Sequence, residues 1–444
     1  MKSICLLLSG LVLIASPATF SPAAASTDQT LPPAAVAEQP TVADMLKKRS
    51  RGALERFYKE RAFEPLWVDG KIIGQDAQIL LRYLDKADLD GLRPRRYKSD
   101  ALRRAIARAD SGDPDDLARA ELEISKIFAR YVRDMRKVQD VGMIYADPAL
   151  EPVVPKEETL LRVAGRAGSF SDYVASMGWM SPHYVRMREL LAMVEKQEAD
   201  GEILDTLRLN LERARHLPPA TVRHIVVDSV SARLWYYQGG EEVGSMKVVV
   251  GTAETQTPLM AGSLNYAILN PYWNVPDYLV RDNVARKILA GRTLKSMKME
   301  VLSDWSATPE RIDPKRIDWV AVAEGRNDLR VRELPGSHNS MGKVKFIFPN
   351  DHGIYLHDTP NRGLFAKPGR HFSNGCIRLE KAVELGKWML GQQVKAQSKE
   401  PEQAVPLPAT VPVYLTYLTA TATKDGVVLQ PDIYGLDGRA EKED

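Results

Sequence analysis

Cysteine is scarce in this sequence, with only Cys5 and Cys376 in 444 residues. That excludes a disulfide framework as the source of stability. Charge of one sign is lacking as well. The formal net charge is only +3, so there is no electrostatic case for nucleic acid. Long apolar runs are confined to the N-terminus. There Met1-Lys2-Ser3 leads into an apolar stretch from Ile4 to Ile14, and small residues follow as far as Ala23-Ala24-Ala25. A positive start, a short apolar middle and a small-residue end read as a secretory signal over residues 1–25, removed after Ala25. The apolar stretch is short for a membrane span, which leaves an uncleaved anchor as the lesser reading. Cys5 precedes most of that stretch, which argues against a lipid-modified cysteine after cleavage. No integral span is expected in the mature chain, which is read as exported.

What is present is ordinary for a soluble globular protein: 44% hydrophobic and 27% charged residues. The length suggests two or three domains. Residues 26–42 are rich in Pro, Ala and Thr and read as a flexible tether. Residues 43–201 read as a helical scaffold domain. Leu117, Ala120, Ile124, Ile127 and Tyr131 recur every three or four residues, behind Asp113-Pro114 as cap and first-turn proline. Met187, Leu190, Leu191 and Val194 repeat the pattern. The Arg95-Arg96 and Arg103-Arg104 pairs are read as a solvated helix face.

The period changes near His224. Short β-type runs cover Ile225–Val227, Arg233–Tyr237 and Met246–Val250, with Gly239-Gly240 as a hairpin signal. Further strands are expected at Asn265–Leu269, Val344–Phe348, Gly353–His357 and Val411–Ala420. The fold class is therefore α+β. The helical domain is followed by a mainly antiparallel barrel or sandwich over residues 220–395, and residues 396–444 form a C-terminal strand extension and tail. A charged, largely helical stretch at about 282–328 interrupts the β text and reads as a loop, lid or cap.

Once the signal is removed, Cys376 has no internal disulfide partner. It sits in the turn Ser373-Asn374-Gly375-Cys376, downstream of His357 at the end of an alternating run. A thiol acts through its thiolate, so a base or positive surroundings are needed. His357 is the candidate base and Arg378 a nearby cation. A helix carrying Leu379, Ala382, Leu385 and Met389 on one face, stopped by Gly391, would place Cys376 just before its positive end. The turn residues Ser373, Asn374 and Gly375 can point consecutive N–H groups one way, as an oxyanion hole requires. Alternation puts Tyr355 and His357 on one face of their strand, and Ile354 and Leu356 on the other. The bland readings are an unreactive Cys376, a structural His357, a core Tyr355 and an Arg378 paired with Glu380 or Glu384. A metal site from His352, His357, His371 and Cys376 fits no closed zinc spacing, so no metal is expected.

These residues carry a family resemblance. His357-Asp358-Thr359-Pro360 followed by Phe372-Ser373-Asn374-Gly375-Cys376-Ile377-Arg378 resembles the histidine-to-SxGCxR signature of the YkuD-type L,D-transpeptidases. Met246–Gly251, Thr257-Pro258, Asn270–Pro276, Pro335-Gly336, Asn339, Gly342 and Lys345–Asn350 resemble the catalytic domain of its large periplasmic branch. The helical N-terminal segment resembles that branch's scaffold domain. The resemblance implies a β-sandwich with Cys376 at one end of a groove and a periplasmic location. It implies that Cys376 attacks a tetrapeptide stem at diaminopimelate, D-Ala leaves, and a thioester remains while His357 moves the protons. A diaminopimelate amine of a second stem then forms a 3→3 cross-link. Backbone N–H groups of Gly375 and Cys376, with Tyr355, are implied as oxyanion donors, and Arg378 as a carboxylate or turn support. No cofactor is implied, and carbapenems are expected to acylate Cys376. Two departures stand out. Asn374 occupies a position where many members carry His, and residues 145–178 lack the peptidoglycan-binding repeat often inserted there.

Other classes fit less well. Papain-like wall hydrolases place Cys before His in the chain, the reverse of the order here. Hydrolysis, D-amino-acid exchange and protein attachment through lysine are variants of the same acyl-enzyme. A non-enzymatic wall-binding scaffold would not need Cys376, His357, Arg378 and Gly375 together.

Overall fold

Asp113 begins the longest helix, Pro114–Met135, because its carboxylate accepts from the N–H groups of Asp115 and Asp116 at 2.9 and 3.1 Å. Leu117, Ala120, Ile124, Ile127 and Tyr131 are all buried on one face, as their spacing predicts. That face packs against helices Val42–Arg49, Ser99–Ala109 and Glu157–Gly165. The computed structural model describes residues 40–196, 201–423 and 426–439. The expected signal, with Cys5, and nearly all of the expected tether lie outside the described residues. The first helix starts at Val42, inside the range read as tether, because Thr41 and Asp44 form a capping box. Among the described residues, no helix is long and apolar enough to cross a membrane.

The β part starts from the hairpin Arg233–Gln238 and Glu241–Gly251, turned by Gly239 and Gly240 at φ 64° and 97°. Strand order from this hairpin runs one way through Ile377–Leu379, Leu356–His357 and Val344–Ile347. The other way it runs through His224–Asp228, Gln403–Thr416 and Met260–Leu269. Val344–Ile347 also pairs with Met260–Leu269, so the ladder returns on itself and the layers share one hydrogen-bonded edge. Most pairs are antiparallel. Leu356–His357 with Ile377–Leu379 is parallel, as are Gln403–Thr416 with His224–Asp228 and His371–Ser373 with Glu241–Gly251. Gln403–Thr416 thus lies inside the sheet rather than trailing from it.

Val248, Leu264, Phe346, Leu356, Ile377 and Leu379 form the sheet's core, each contributing about 1.5–3 kcal/mol by burial. Helix Ala382–Leu390 covers it with Leu385 and Met389, and Gly391 ends the helix at φ 67°. The described residues from Thr41 onward form one compact unit in which the halves interleave. Ile144–Tyr145, from the helical part, adds a parallel strand beside Met260–Leu269, and Leu418 and Ala420 enter the helical core.

The stretch read as a helical insertion, about 282–328, contains helices Arg286–Leu289 and Trp319–Ala323 and strands Met299–Leu302 and Arg311–Ile312. Strands Arg330–Glu333 and Trp273–Val275, outside those bounds, complete its antiparallel sheet, and the short helix Asp277–Leu279 precedes it, so the subdomain is wider than the sequence suggests. Val275, Val280, Val284, Val301, Trp319 and Val331 give it a separate core. Strand alternation there was masked by the surrounding charge.

Candidate active site

Leu356 and His357 pair in parallel with Ile377 and Arg378. Leu356 and Ile377 are fully buried in the sheet core, together with Ile354 and Leu379. Alternation then sends Tyr355, His357 and Arg378 to the opposite face, with Cys376 just ahead of the strand on that side. The Tyr355 and His357 rings lie 5.7 Å apart. The Ile377 N–H donates to the Tyr355 carbonyl at 3.0 Å, holding the cysteine beside the tyrosine.

The turn that carries Cys376 is fixed by its own serine. The Ser373 hydroxyl donates to the Cys376 carbonyl at 2.6 Å and accepts from the Gly375 N–H at 3.2 Å. Gly375 adopts φ 102°, and a Cβ there would stand 3.1 Å from Ile354 Cδ1, so only glycine fits. A neighbouring loop grips the turn from outside. The Thr252 N–H and Thr255 hydroxyl donate to the Ser373 carbonyl at 3.1 and 3.0 Å. The Thr257 hydroxyl donates to the Gly375 carbonyl at 2.7 Å.

Cys376 is a half-buried free thiol. Its Sγ contacts the Gly353 carbonyl at 3.4 Å. Burial pushes the thiol up to about 11, against the opposing pull of the Tyr355 N–H, the Tyr355 hydroxyl and Arg378. Burial and the neighbouring Cys376 push the Tyr355 hydroxyl up, and the Trp273 indole, which can only donate, opposes them. Tyr278, just ahead of the 282–328 stretch, has its hydroxyl pushed up by burial and by the field of Cys376, so the segment entering that stretch borders the thiol.

His357 is buried, and its Nδ1 lies 2.6 Å from the Asp358 carbonyl. A carbonyl only accepts, so in this contact Nδ1 is the donor. Burial pulls the imidazole down to about 3, assisted by Arg378 and Lys345 and opposed by the carbonyls of Asp358 and Ser340. The ring is neutral at neutral pH. Arg378 is lowered by burial, and its buried Nε has no hydrogen-bond partner among the described residues. It forms no ion pair with Glu380 or Glu384: Glu380 accepts from the Lys247 N–H at 3.0 Å, and Glu384 faces Lys381 at 3.8 Å. Its charge is felt by Cys376 and Tyr355.

The structure brings Cys376 together with Tyr355 and Arg378, and sets His357 beside Arg378 as a diagonal neighbour of the cysteine. No hydrogen bond joins His357 to Cys376 among the described residues. Asn374 is exposed at the tip of the turn. Two expectations are corrected. The strand Ile377–Leu379 separates Cys376 from the helix, which begins only at Ala382, so its positive end is too far to act on the thiol. The Gly375 N–H is committed to Ser373 and is not a free oxyanion donor. Reading by motif missed Thr255, Trp273, Tyr278 and the Asp358 carbonyl. Of these, Trp273 and Asp358 stood within recognisable sequence signals, as did Thr257 ahead of Pro258. A hollow of about 490 Å³ lined by Lys343, Asp358, Thr359, Arg362 and Glu384 lies beyond Asp358, but Cys376 does not line it.

Residues 222–413 match the family described as the L,D-transpeptidase catalytic domain (YkuD), and residues 52–191 match the Scaffold domain. The chain thus carries an L,D-transpeptidase catalytic domain (YkuD) behind an N-terminal Scaffold domain. The Haemophilus influenzae protein named "Putative L,D-transpeptidase" is 27% identical to this transpeptidase over 404 residues, spanning 88% of this chain and 79% of the other. Among solved structures, the L,D-transpeptidase from Mycobacterium smegmatis aligns at 13% identity and TM-score 0.20, over 44% of this chain and 58% of its own. A mutant of the Enterococcus faecium L,D-transpeptidase aligns at 14% identity and TM-score 0.19, over 44% of this chain and 49% of its own. The transpeptidase therefore spans only about half the length of these solved chains.

Proposed function

We propose that this transpeptidase forms 3→3 cross-links between peptidoglycan stems in the periplasm, through a thioester on Cys376. The observation that carries the reading is the free thiol set against the Tyr355 hydroxyl, with a neutral buried imidazole on the same sheet face. Cys376 Sγ attacks the carbonyl that follows the L-centre of diaminopimelate in a tetrapeptide donor. Its proton passes to Nε2 of His357, and the Asp358 carbonyl holds the ring on Nδ1 as charge develops. The Cys376 N–H and the Tyr355 hydroxyl stabilise the oxyanion, since the Gly375 N–H is occupied. His357 returns the proton to the departing D-Ala nitrogen, leaving the thioester. The amine of a second diaminopimelate attacks the thioester, loses its proton to His357, and releases the dimer and the thiol. Arg378 receives a substrate carboxylate. Ser373 and Asn374 shape the turn against which the stem lies. The catalytic unit is assigned to residues from about 220 through the inner strand Gln403–Thr416, past the 395 boundary read from the sequence, and the scaffold to 43–201, with the insertion at about 282–328 forming one wall of the groove.

The test uses the mature protein and its Cys376→Ala variant with disaccharide-tetrapeptide, products being read by mass spectrometry. Wild type is expected to give a 3→3 dimer with loss of D-Ala, and the variant none. Tripeptide alone would make water the acceptor, and exchange of the terminal D-amino acid or attachment to a protein lysine would appear as the corresponding adduct. Equal dimer from both proteins would sink the mechanism. A carbapenem is expected to leave a covalent adduct on Cys376.

A further inference from the structure

The segment after the sheet's last strand returns to the nucleophile turn, and no step of the proposed reaction uses it. Tyr434 is buried there and stacks on Tyr417, with ring centroids 5.0 Å apart and planes at 17°. Its N–H donates to the Tyr417 hydroxyl oxygen at 2.9 Å, and the Tyr417 hydroxyl donates to Asp432 at 2.7 Å. Asp432 also accepts from the N–H groups of Leu436 and Asp437 at 3.0 and 2.9 Å, which closes residues 432–437 into a rigid loop.

The Tyr434 hydroxyl reaches both ends of the loop that grips the cysteine turn. It donates to the Gly251 carbonyl at 2.8 Å and accepts from the Thr257 N–H at 3.5 Å. The Tyr434 carbonyl accepts from Gln256 Nε2 at 3.0 Å. Between those ends, the Thr257 hydroxyl accepts from the Gly251 N–H at 2.9 Å while donating to the Gly375 carbonyl. On its far side the segment is held by Arg213, from helix Gly201–Arg215. Its Nη1 donates to Asp437 at 2.6 Å and to the Tyr417 carbonyl at 3.2 Å, and its Nη2 to the Leu436 carbonyl at 3.0 Å. Arg213 is buried, so this anchor is held in a fixed geometry.

We propose that Tyr434 is a positioning residue for Cys376, and that the C-terminal segment is a strap which sets the nucleophile turn from the helix Gly201–Arg215 through Arg213, Tyr417 and Tyr434. The proposal rests on the reading of Cys376 as nucleophile. A phenol that bridges a carbonyl and an N–H across one loop fixes the spacing between them, and the loop's threonines carry that spacing to the carbonyls of Ser373 and Gly375. Displacing a nucleophile by a fraction of a bond length lowers turnover far more than substrate binding.

The experiment uses the full mature protein and the variant Tyr434→Phe, which keeps the stack and removes both hydroxyl contacts. Asp437→Asn, which loosens the Arg213 anchor from the other end, is the second variant. Turnover of disaccharide-tetrapeptide, thermal unfolding and the pH profile of Cys376 alkylation by iodoacetamide are measured on each. For Tyr434→Phe, kcat is expected to fall about 10- to 100-fold with KM changed less than about threefold. A loosened turn uncovers the thiol, so its alkylation midpoint is expected to move down toward the ordinary thiol value of about 8.5. Asp437→Asn is expected to move both readouts the same way by less. Unchanged kcat and alkylation profile would overturn the proposal. So would a loss of activity that tracks the unfolded fraction while the alkylation midpoint stays fixed. If wild type shows no turnover, the acyl-transfer reading fails on its own, and the alkylation profile still decides whether Tyr434 positions the thiol.

Discussion

At neutral pH the residues of this site hold no resting ion pair. The Cys376 thiol, pushed up to about 11 by burial, and the His357 imidazole, pulled down to about 3 by burial, are both uncharged. In the proposed reaction proton transfer accompanies attack instead of preceding it, and groups that stabilise the emerging thiolate and oxyanion govern the rate. Tyr355 is the principal such group. The Tyr355→Phe variant is expected to lose about 10²- to 10³-fold in kcat, as measured by dimer formation. Its Cys376 is expected to alkylate more slowly at fixed alkaline pH, because the thiolate has lost a donor and its pKa rises further. Faster alkylation would show that the hydroxyl shields the thiol rather than supporting its anion.

The elements around the site are short, and their precision comes from loops tied to a closed sheet. The strand carrying His357 and the one carrying Arg378 have core partners on their other face, so neither rotates without unpacking Leu356 or Ile377. Gly251 is where the gripping loop leaves its strand. A Cβ there would stand 2.0 Å from the Thr255 carbonyl oxygen and 2.7 Å from the Thr257 nitrogen, both backbone atoms that cannot move aside. Gly251→Ala is expected to cost about 1–3 kcal/mol in urea unfolding and to lower turnover in the protein that remains folded. Wild-type stability and activity would mean that the loop re-forms without the Thr257–Gly375 contact. The helix Ala382–Leu390 acts at this scale as a cover for the core, not as a source of charge for the cysteine.

Across the whole molecule, burial of histidines sets the acid limit. His183, on helix Pro182–Lys196, is pulled down to about 3, and His224, in the adjoining sheet, to about 4, both by desolvation. They meet at the seam between helices and sheet, where His183 Nε2 lies 3.3 Å from the Tyr237 hydroxyl and His224 stacks on the same Tyr237 ring. A histidine whose folded value lies below its unfolded value of about 6.5 binds its proton only on unfolding. Stability is therefore expected to fall as pH drops below about 6.5, and to go on falling towards the folded values near 4 and 3. Each such histidine, His357 included, withdraws up to about 1.4 kcal/mol per pH unit. Glu121 and Asp228, raised by burial, act in the opposite sense and offset part of this loss. Chemical unfolding across that range should show the slope, and His224→Gln should flatten it. An unchanged slope would locate the acid sensitivity elsewhere.

Periodicity alone determined the helical half, the hairpin at Gly239-Gly240 and the division of Ile354–His357 into a core face and a site face, because each depends on residues within one or two turns of chain. The motif around Cys376, His357 and Arg378 was legible for the same reason: its members are close in sequence. Tertiary structure alone decided the state of the thiol, since desolvation depends on what covers it, and the sequence suggested a lowered pKa where burial raises it. It also decided that Ser373 takes the Gly375 N–H and that the Trp273 indole acts on the Tyr355 hydroxyl. The tail beyond the last sheet strand gave no signal of its own. Its tie to the cysteine turn passes through Tyr434, Thr257 and Gly375, residues far apart in the chain that only the closed sheet and the helix Gly201–Arg215 bring within hydrogen-bond reach.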